Sequence, residues 1–322
     1  MTAAELYDAT IVKRRRGTKD EMAERARFFV DYAAAHGPVT VRQLYYRAEV
    51  LGLPGIDKTE SSYAKTQRQV LALRRAGRLD YQHIADATRW MRKSRTYDSV
   101  AAALQHTAQF YRKALWRDAT DHVEIWVEKD ALAGVIFPVT EEYDVALMVA
   151  RGFCSETFCF EAVEAAKQFD RPYWVYYLGD LDRAGRDAAT SLKEKLERFG
   201  ALNRVLVLFE QIAIEAADVL RFNERDGRAL VFLHGVTQPD DLRSLPTRTP
   251  KRTSAADCNW PHPYAIELDA IEPDDLRRIV RTAIERHLPA DQLRILKIAE
   301  TSERTLIAGL VDQIPFEREG RG

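Results

Sequence analysis

Short apolar segments alternate with helical segments in the carboxyl-terminal half of this chain, and no other feature constrains its fold as strongly. The apolar segments are predicted strands at residues 123–128, 144–150, 172–179, 204–209 and 264–268. Helical segments fit the gaps at residues 130–137, 156–168, 183–198 and 273–287. Because alternation of this kind places helices over a mostly parallel sheet, the sequence predicts an α/β fold for this half.

Acidic residues end two of these predicted strands. Glu128 ends the first strand, and Asp180 and Asp182 follow the third. The carboxyl ends of parallel strands meet at one edge of a sheet, so these side chains are expected to converge there. Carboxylate oxygens are ligands that Mg²⁺ prefers, and phosphate esters are its usual substrates. Gly179 and Gly185 flank the aspartates and would leave backbone space for a close phosphate.

Each acid also has an ordinary structural interpretation. An aspartate after a strand is a common helix N-cap, and Asp182 precedes the helix predicted at 183–198. Glu128 stands beside Lys129, which is typical of a surface ion pair. Three acids at strand ends with this spacing favour a metal site over three separate structural roles.

Charge is distributed unevenly along the chain. Residues 1–120 contain 22 Lys and Arg against 13 Asp and Glu, a balance of +9, and the remaining 26 and 36 give residues 121–322 a balance of −10. A basic half joined to an acidic half indicates a nucleic-acid-binding module attached to a metal site. Two solvated surfaces that differ by chance are the alternative.

The basic half begins with a predicted arm, residues 1–19, in which positions 13–19 read Lys-Arg-Arg-Arg-Gly-Thr-Lys. Arms of this kind track phosphate or solubilise a terminus. A helix fits residues 20–36, and the Gly-Pro pair that follows should end it.

Adjacent tyrosines lie on the next predicted helix. Thr40 and Gln43 form a capping box at its start. Tyr45 falls on the apolar stripe and is predicted to be buried. Tyr46 lies about 100° further round the helix, so it is predicted to point outward, with Arg42 near its hydroxyl. Tyr46 is a candidate nucleophile, and a surface aromatic that helps to bind DNA is the alternative.

A third helix is predicted at residues 60–76. One face of it carries three basic residues, Lys65, Arg68 and Arg75. A capped helix followed by a helix with a basic stripe is typical of a helix-turn-helix or winged-helix DNA-binding domain, here over residues 20–120. Residues 80–95 are expected to form the wing or its flank, and a helix at 99–116 to join the two halves.

Residues 223–260 are irregular and predict a long loop or a disordered insert. Its basic side chains, available for backbone phosphates of DNA, are Arg248, Lys251 and Arg252. Glu267 and Asp269 lie at the end of the last predicted strand. They could add negative charge around the metal site, but we expect them to be polar residues at the sheet edge.

Other features narrow the function classes. Three scattered cysteines (Cys154, Cys159 and Cys258) indicate reduced structural thiols rather than disulfides or a zinc site. No Gly-x-x-x-x-Gly-Lys-Ser/Thr loop occurs, so any ATP dependence would need a separate subunit. No apolar stretch approaches the roughly 20 residues of a membrane span, so we expect a cytoplasmic, nucleoid-associated protein without a membrane partner.

The order of the motifs resembles a known family. Val41-Arg-Gln-Leu-Tyr-Tyr46 comes first, then Glu128, then Asp180-Leu-Asp182-Arg-Ala-Gly185. This resembles the A subunit of type IIB topoisomerases (topoisomerase VI) and its relative, the meiotic double-strand-break transesterase. More narrowly, the chain looks like the short bacterial and phage homologues called topoisomerase mini-A. The resemblance covers residues 20–310 and implies a mostly helical winged-helix domain at 20–120, followed by a Toprim domain at 121–322.

The resemblance also implies roles for individual residues. Tyr46 would be the attacking tyrosine and Arg42 the arginine before it. Glu128, Asp180 and Asp182 would be the Toprim residues that bind Mg²⁺ and transfer protons, and Gly152 a Toprim turn glycine. The family further implies a homodimer on double-stranded DNA, each tyrosine reaching its partner's acids.

Three functions follow as hypotheses. In the leading one, Tyr46 attacks a DNA phosphorus, displaces the 3′ oxygen and leaves a 5′-phosphotyrosyl link, with Glu128 as general acid. In the second, a Toprim nuclease hydrolyses DNA with metal-bound water. In the third, the protein is a non-catalytic DNA-binding component whose acids are structural.

Overall fold

The computed structural model describes residues 18–85, 96–233, 242–250 and 259–313. Most of the predicted basic arm lies outside these ranges. So do positions 86–95 of the predicted wing, Lys251, Arg252 and Cys258.

Three helices form the first part, called here the helical module (residues 18–85). They are α1 (Lys19–His36), α2 (Val41–Val50) and α3 (Glu60–Arg75), close to the predicted bounds. Capping boxes start α1 at Thr18 and α2 at Thr40, because each threonine accepts the third backbone N–H of its helix. Phe29, Leu44 and Val70 lie at the centre of its core.

The β-structure of this module is small. Among the described residues between 18 and 120, it consists of one parallel bridge between Val39 and Ile84. The winged-helix assignment therefore stays a prediction.

Helix α4 (Val100–Phe110) is shorter than the helix predicted at 99–116. The chain beyond it lies along α9 (Ala290–Asp312), a helix that the sequence analysis did not predict. There, side chains of α9 satisfy the backbone: Glu300 accepts the N–H of Lys113 at 2.9 Å, and Arg304 donates to the carbonyl of Tyr111 at 2.8 Å. These bonds replace those of a longer helix.

Four parallel strands form the central sheet, as predicted. They are β1 (His122–Val127), β2 (Ala146–Val149), β3 (Tyr173–Leu178) and β4 (Val207–Ala213), in the order β2-β1-β3-β4. The helices that alternate with them or follow are α5 (Asp130–Glu142), α6 (Glu156–Lys167), α7 (Arg183–Asn203) and α8 (Pro273–Glu285). Strand β4 begins later than predicted because α7 continues to Asn203 and ends at Arg204, whose φ is 59°.

The predicted fifth strand at 264–268 was wrong. Ala265 and Ile266 instead form isolated antiparallel bridges, to Arg248 and Leu181 respectively. A 3₁₀ turn follows at Leu268–Ala270. This segment crosses the carboxyl edge of the parallel sheet rather than extending the sheet.

The expectation of a loop over 223–260 was also wrong where the chain is described. Strands β5 (Val219–Asn223), β6 (Arg228–Phe232) and β7 (Leu242–Pro246) form an antiparallel sheet. Ala229 and Val231 alternate with more exposed residues and join the main core. Among the described helices, none is long and apolar enough to cross a membrane.

Arg277 on α8 joins the helical module to the rest of the protein. Its guanidinium donates to the carbonyls of His36 (2.9 Å), Pro38 (2.6 Å) and Val135 (3.0 Å). The side chain is 14% exposed, so these carbonyls have limited access to water. One cation thus satisfies backbone acceptors from α1, the α1–α2 turn and α5.

Replacing Arg277 with methionine should lower the free energy of unfolding by about 3 kcal/mol, because it leaves several shielded carbonyls without a donor. Chemical denaturation monitored by circular dichroism measures this change. Arg294→Met is the matched control, since Arg294 is 74% exposed and pairs with an exposed aspartate on its own helix. It should cost less than about 0.5 kcal/mol. Equal effects of the two substitutions would contradict this role of Arg277.

Candidate active site at the carboxyl edge of the parallel sheet

Glu128 lies directly after β1 and faces the end of β3. Its Oε2 accepts the backbone N–H of Asp180 at 2.9 Å. A Cβ at Gly179 would come within 3.0 Å of that oxygen and 2.6 Å of the Tyr177 ring, so glycine is needed for this approach. Burial, and then the charge of Asp180, raises the pKa of Glu128 to about 7. Glu128 therefore exchanges a proton near neutral pH.

The two aspartates are held by different partners. Asp180 is 9% exposed, accepts the N–H of Leu268 at 2.7 Å and contacts the Lys129 ammonium at 2.9 Å. Burial raises the pKa of Asp180, although the charge of Lys129 opposes that shift. Asp182 caps α7 through Gly185 N–H at 2.8 Å, and its other oxygen contacts Arg248 at 2.9 Å. The structural N-cap interpretation of Asp182 is therefore confirmed for one of its two oxygens.

Lys129 is not part of a surface pair. Its ammonium lies among three carboxylates, Asp269 at 2.8 Å, Asp180 at 2.9 Å and Glu267 at 3.5 Å. Burial alone would lower the pKa of Lys129, but the charges of Asp269, Asp180 and Glu267 outweigh it and raise the pKa. Lys129 is thus a fixed cation at the sheet edge.

Glu267 and Asp269 are not simple edge polarity, so that expectation was wrong. Asp269 is 4% exposed and accepts a hydrogen bond from Thr40 at 3.3 Å. Glu267 forms an ion pair with Arg42. Both acids therefore connect α2 to Lys129. Their Glu-x-Asp spacing after an apolar segment resembles the Asp-x-Asp of 180–182, a signal that could have identified them.

The two tyrosines differ as predicted in one respect and not in another. Tyr45 is buried, and its hydroxyl donates to the Asp57 carbonyl at 3.0 Å. Tyr46 does not point freely outward. It is half-buried and packs against two hydrophobic cores, that of the helical module and the larger core that includes β1 and α8. Its phenol lies near Glu267 and contributes to lowering the pKa of that acid. The helical wheel predicted the direction in which Tyr46 leaves α2, but it could not predict that the segment around Glu267 packs on that side of the helix.

The environment of Tyr46 keeps it protonated. Burial, and then the charge of Glu267, raises the pKa of the Tyr46 phenol. Arg42 and Lys129 act in the opposite direction, and Asp269 adds to the increase. In this arrangement Tyr46 is a hydrogen-bond donor and a weak nucleophile.

A cleft of about 1040 Å³ opens beside Tyr46, between the helical module and the segments around Thr247 and His262. Cationic and aromatic side chains contribute to its lining, among them Arg42, Lys58, Tyr63, Arg225, Arg248 and His262. Cations beside aromatic rings suit a nucleic-acid strand. Acidic residues such as Glu60 and Asp226 line it too, so its charge is mixed.

The structure places the predicted DNA-binding residues on two separate surfaces. Lys65, Arg68 and Arg75 are exposed on α3 but do not line the cleft. Arg248 lines the cleft and contacts Asp182. Gly152, the predicted turn glycine, has a φ of 78° and lies after β2.

Glu128, Asp180 and Asp182 carry carboxylate oxygens, the kind of ligand atom that a hard cation such as Mg²⁺ prefers. The hydroxyl of Tyr177 adds a buried oxygen that has no hydrogen-bond partner in the described structure. Burial and the charge of Glu128 raise the pKa of Tyr177, which places its hydroxyl near that acid. Within the described ranges, however, no three His, Cys, Asp or Glu side chains form a ready metal site. Asp180 and Asp182 instead contact Lys129 and Arg248.

Gly185→Ala should destabilise the protein by about 2–3 kcal/mol, because its Cβ would lie 2.4 Å from the Asp180 carbonyl oxygen. Gly309→Ala is the matched control on another helix. A Cβ at Gly309 meets nothing within 4 Å, so alanine should be neutral or stabilise by up to about 1 kcal/mol. Urea denaturation measures both, and a tolerated Gly185→Ala would show that the aspartate loop is not held this closely.

Glu128 should make stability depend on pH. Because its pKa is raised to about 7 from 4.5, the folded state binds a proton that the unfolded state has lost. Its contribution is complete below about pH 4.5 and is lost as pH rises towards 7, with a slope of up to about 1 kcal/mol per pH unit. Metal-free Glu128→Gln should lose this slope in urea denaturation between pH 5 and 7, whereas Glu197→Gln, an exposed control, should keep it. Identical slopes for wild type and Glu128→Gln would contradict the assignment.

No protein-family model, curated protein or solved structure matches the chain. The resemblance in motif order therefore stays a prediction, and the function is argued from the geometry of the site.

Proposed function

We propose that this protein cleaves DNA by transesterification at Tyr46. One observation carries the proposal. Tyr46 and Glu267 line the same cleft, and within one chain Glu267 connects through Lys129 to the strand-end Asp180. The phenol thus lies in a cleft that also holds Arg42 and Arg248, cations suited to a phosphodiester.

The reaction would proceed by exchange of one ester for another. The Tyr46 hydroxyl loses its proton to water, and its oxygen forms a bond to phosphorus while the bond from phosphorus to the 3′ oxygen breaks. The leaving 3′ oxygen takes a proton from Glu128, which holds one in part at neutral pH. The products are a 5′-phosphotyrosyl link and a free 3′ hydroxyl. Religation reverses these steps.

A Mg²⁺ ion held by Asp180 and Asp182, and by Glu128 once that acid has given up its proton, would supply positive charge to the phosphate and the leaving oxygen. Arg42 binds and orients the phosphate in this proposal. Arg248 does the same from the opposite side of the cleft, once it exchanges Asp182 for phosphate.

Double-stranded DNA is the proposed substrate. Two breaks need two tyrosines, so a homodimer is the assembly that the proposal implies. The sequence has no phosphate-binding Gly-Lys loop, and an ATPase would be a separate subunit. A cytoplasmic, nucleoid-associated location belongs to the same proposal.

Hydrolysis by metal-bound water is the second candidate. The observation that favours it is the raised pKa of Tyr46, which makes the phenol a poor nucleophile before DNA binds. In that reaction Glu128 would serve as the base for water.

The covalent-adduct assay distinguishes these candidates. Labelled duplex DNA is incubated with protein and Mg²⁺, then resolved on a denaturing gel. Tyr46→Phe should reduce the amount of protein–DNA adduct more than about 100-fold, because it removes the proposed nucleophilic oxygen. Tyr45→Phe is the matched control and should retain adduct, since the Tyr45 hydroxyl bonds a backbone carbonyl instead.

Asp180→Asn should also abolish cleavage. Clean hydrolytic nicks that persist in Tyr46→Phe would favour water as the nucleophile. DNA binding without any cleavage by the wild type would leave the non-catalytic DNA-binding role.

A further inference from the structure

Glu267 occupies a position that the backbone defines closely. The residue before it, Ile266, pairs with Leu181 through two hydrogen bonds of 2.8 and 2.9 Å. Leu181 lies between the two aspartates of the site, so this pairing anchors Glu267 to the edge of the parallel sheet. From there its carboxylate pairs with Arg42 and Lys129, and Glu267 lines the same cleft as Tyr46.

The two cationic partners of Glu267 differ in how easily they can be exchanged for another anion. Lys129 has two closer carboxylates, Asp269 and Asp180, and would stay in place without Glu267. Arg42 is 38% exposed, lines the cleft, and has Glu267 as the one carboxylate in ion-pair contact within the described structure. Its guanidinium also lies 5.1 Å from the centre of the Tyr63 ring, which steers it towards the cleft.

We propose that Glu267 is a positioning residue that holds Arg42 and Tyr46 in a DNA-free arrangement, and that a DNA phosphodiester replaces Glu267 as the partner of Arg42. The inference rests on the DNA-binding part of the proposed function. A phosphate offers the guanidinium two oxygens and one negative charge, as the carboxylate does. The exchange therefore costs Arg42 no partner.

The exchange also changes the surroundings of the tyrosine. Four charged groups act on the phenol: Glu267 and Asp269 disfavour its ionised form, while Arg42 and Lys129 favour it. Arg42 bound to a phosphate brings that phosphate next to Tyr46. Although burial opposes the shift, Lys129 and Arg42 hold the pKa of Glu267 below its ordinary value, so Glu267 remains charged and bound to Lys129.

The test is a binding cycle with a short fluorescent DNA duplex, measured by anisotropy at fixed salt with EDTA to prevent cleavage. Glu267→Gln keeps the size of the side chain and removes its charge. It should bind DNA about fivefold more tightly, the factor for a partly exposed ion pair that no longer competes. In an Arg42→Ala background the same substitution should change affinity less than twofold, because the competing pair is already absent.

Glu272→Gln is the matched control. Glu272 belongs to the same segment, is 34% exposed against 18% for Glu267, and pairs with Arg47, the next arginine of α2, away from the cleft. It removes the same charge from the protein and should change DNA affinity less than twofold. Thermal unfolding confirms that each variant is folded, and Glu267→Asp, which keeps the charge but shortens the reach to Arg42, gives a second, smaller gain in affinity.

Three results would overturn the inference: no gain in Glu267→Gln, an equal gain in the Arg42→Ala background, or an equal gain in Glu272→Gln. Absence of DNA binding in all variants would overturn both this inference and the proposed function. If the binding changes occur as predicted but no Tyr46 adduct forms, transesterification is contradicted and this inference stands. If the adduct forms but Glu267→Gln does not change DNA affinity, this inference is contradicted and the proposed function stands.

Discussion

The burial of one ammonium group among carboxylates is the constraint on which this site depends. Lys129 stands after the first strand of the parallel sheet, and its three acidic partners come from the third strand end and from the segment that crosses the sheet edge. A buried charge is tolerated only where it is paired, so these separate parts of the chain must meet around it. Thr40 and Arg42 then attach α2 to the same acids. The position of the tyrosine follows from that attachment.

Electrostatic balance describes the resting state of the site. Each acid of the site has a basic side chain or a backbone amide of the protein as its partner. One oxygen of Asp182 caps α7, and the other contacts Arg248. Such a site is stable without an added cation but offers few free oxygens. A polyanion that bound Arg42 and Arg248 would release their carboxylate partners. The released carboxylates could then bind a metal ion, so binding of the polyanion and of the metal would be linked. The proposed function thus requires rearrangement of side chains more than of the backbone.

The sequence predicted the parallel sheet well, because alternation of apolar and helical segments reports directly on burial. It placed Glu128 and Asp180 at adjacent strand ends, where Asp180 N–H does meet Glu128. It missed the antiparallel strands around Ala229 and Val231, although their two-residue period is visible, since turn-forming residues on either side suggested a loop. It also misplaced Tyr46 and Glu267. A helical wheel gives a direction on one helix, whereas their environment depends on a contact between α2 and a segment more than 200 residues later.

Arg277 anchors α8 to the end of α1 and to the α1–α2 turn, which limits how independent the two halves are. Backbone carbonyls of the first half accept hydrogen bonds from Arg277, which belongs to the second half. In turn, Tyr46 and Ala85 of the first half pack against the core of the second half. A fragment cut near residue 120 would thus carry an exposed apolar seam and unpaired acceptors. Recombination that swaps the first half of the chain would succeed only if the residues that pack against it were exchanged too, so the two halves should diversify in concert rather than as interchangeable modules.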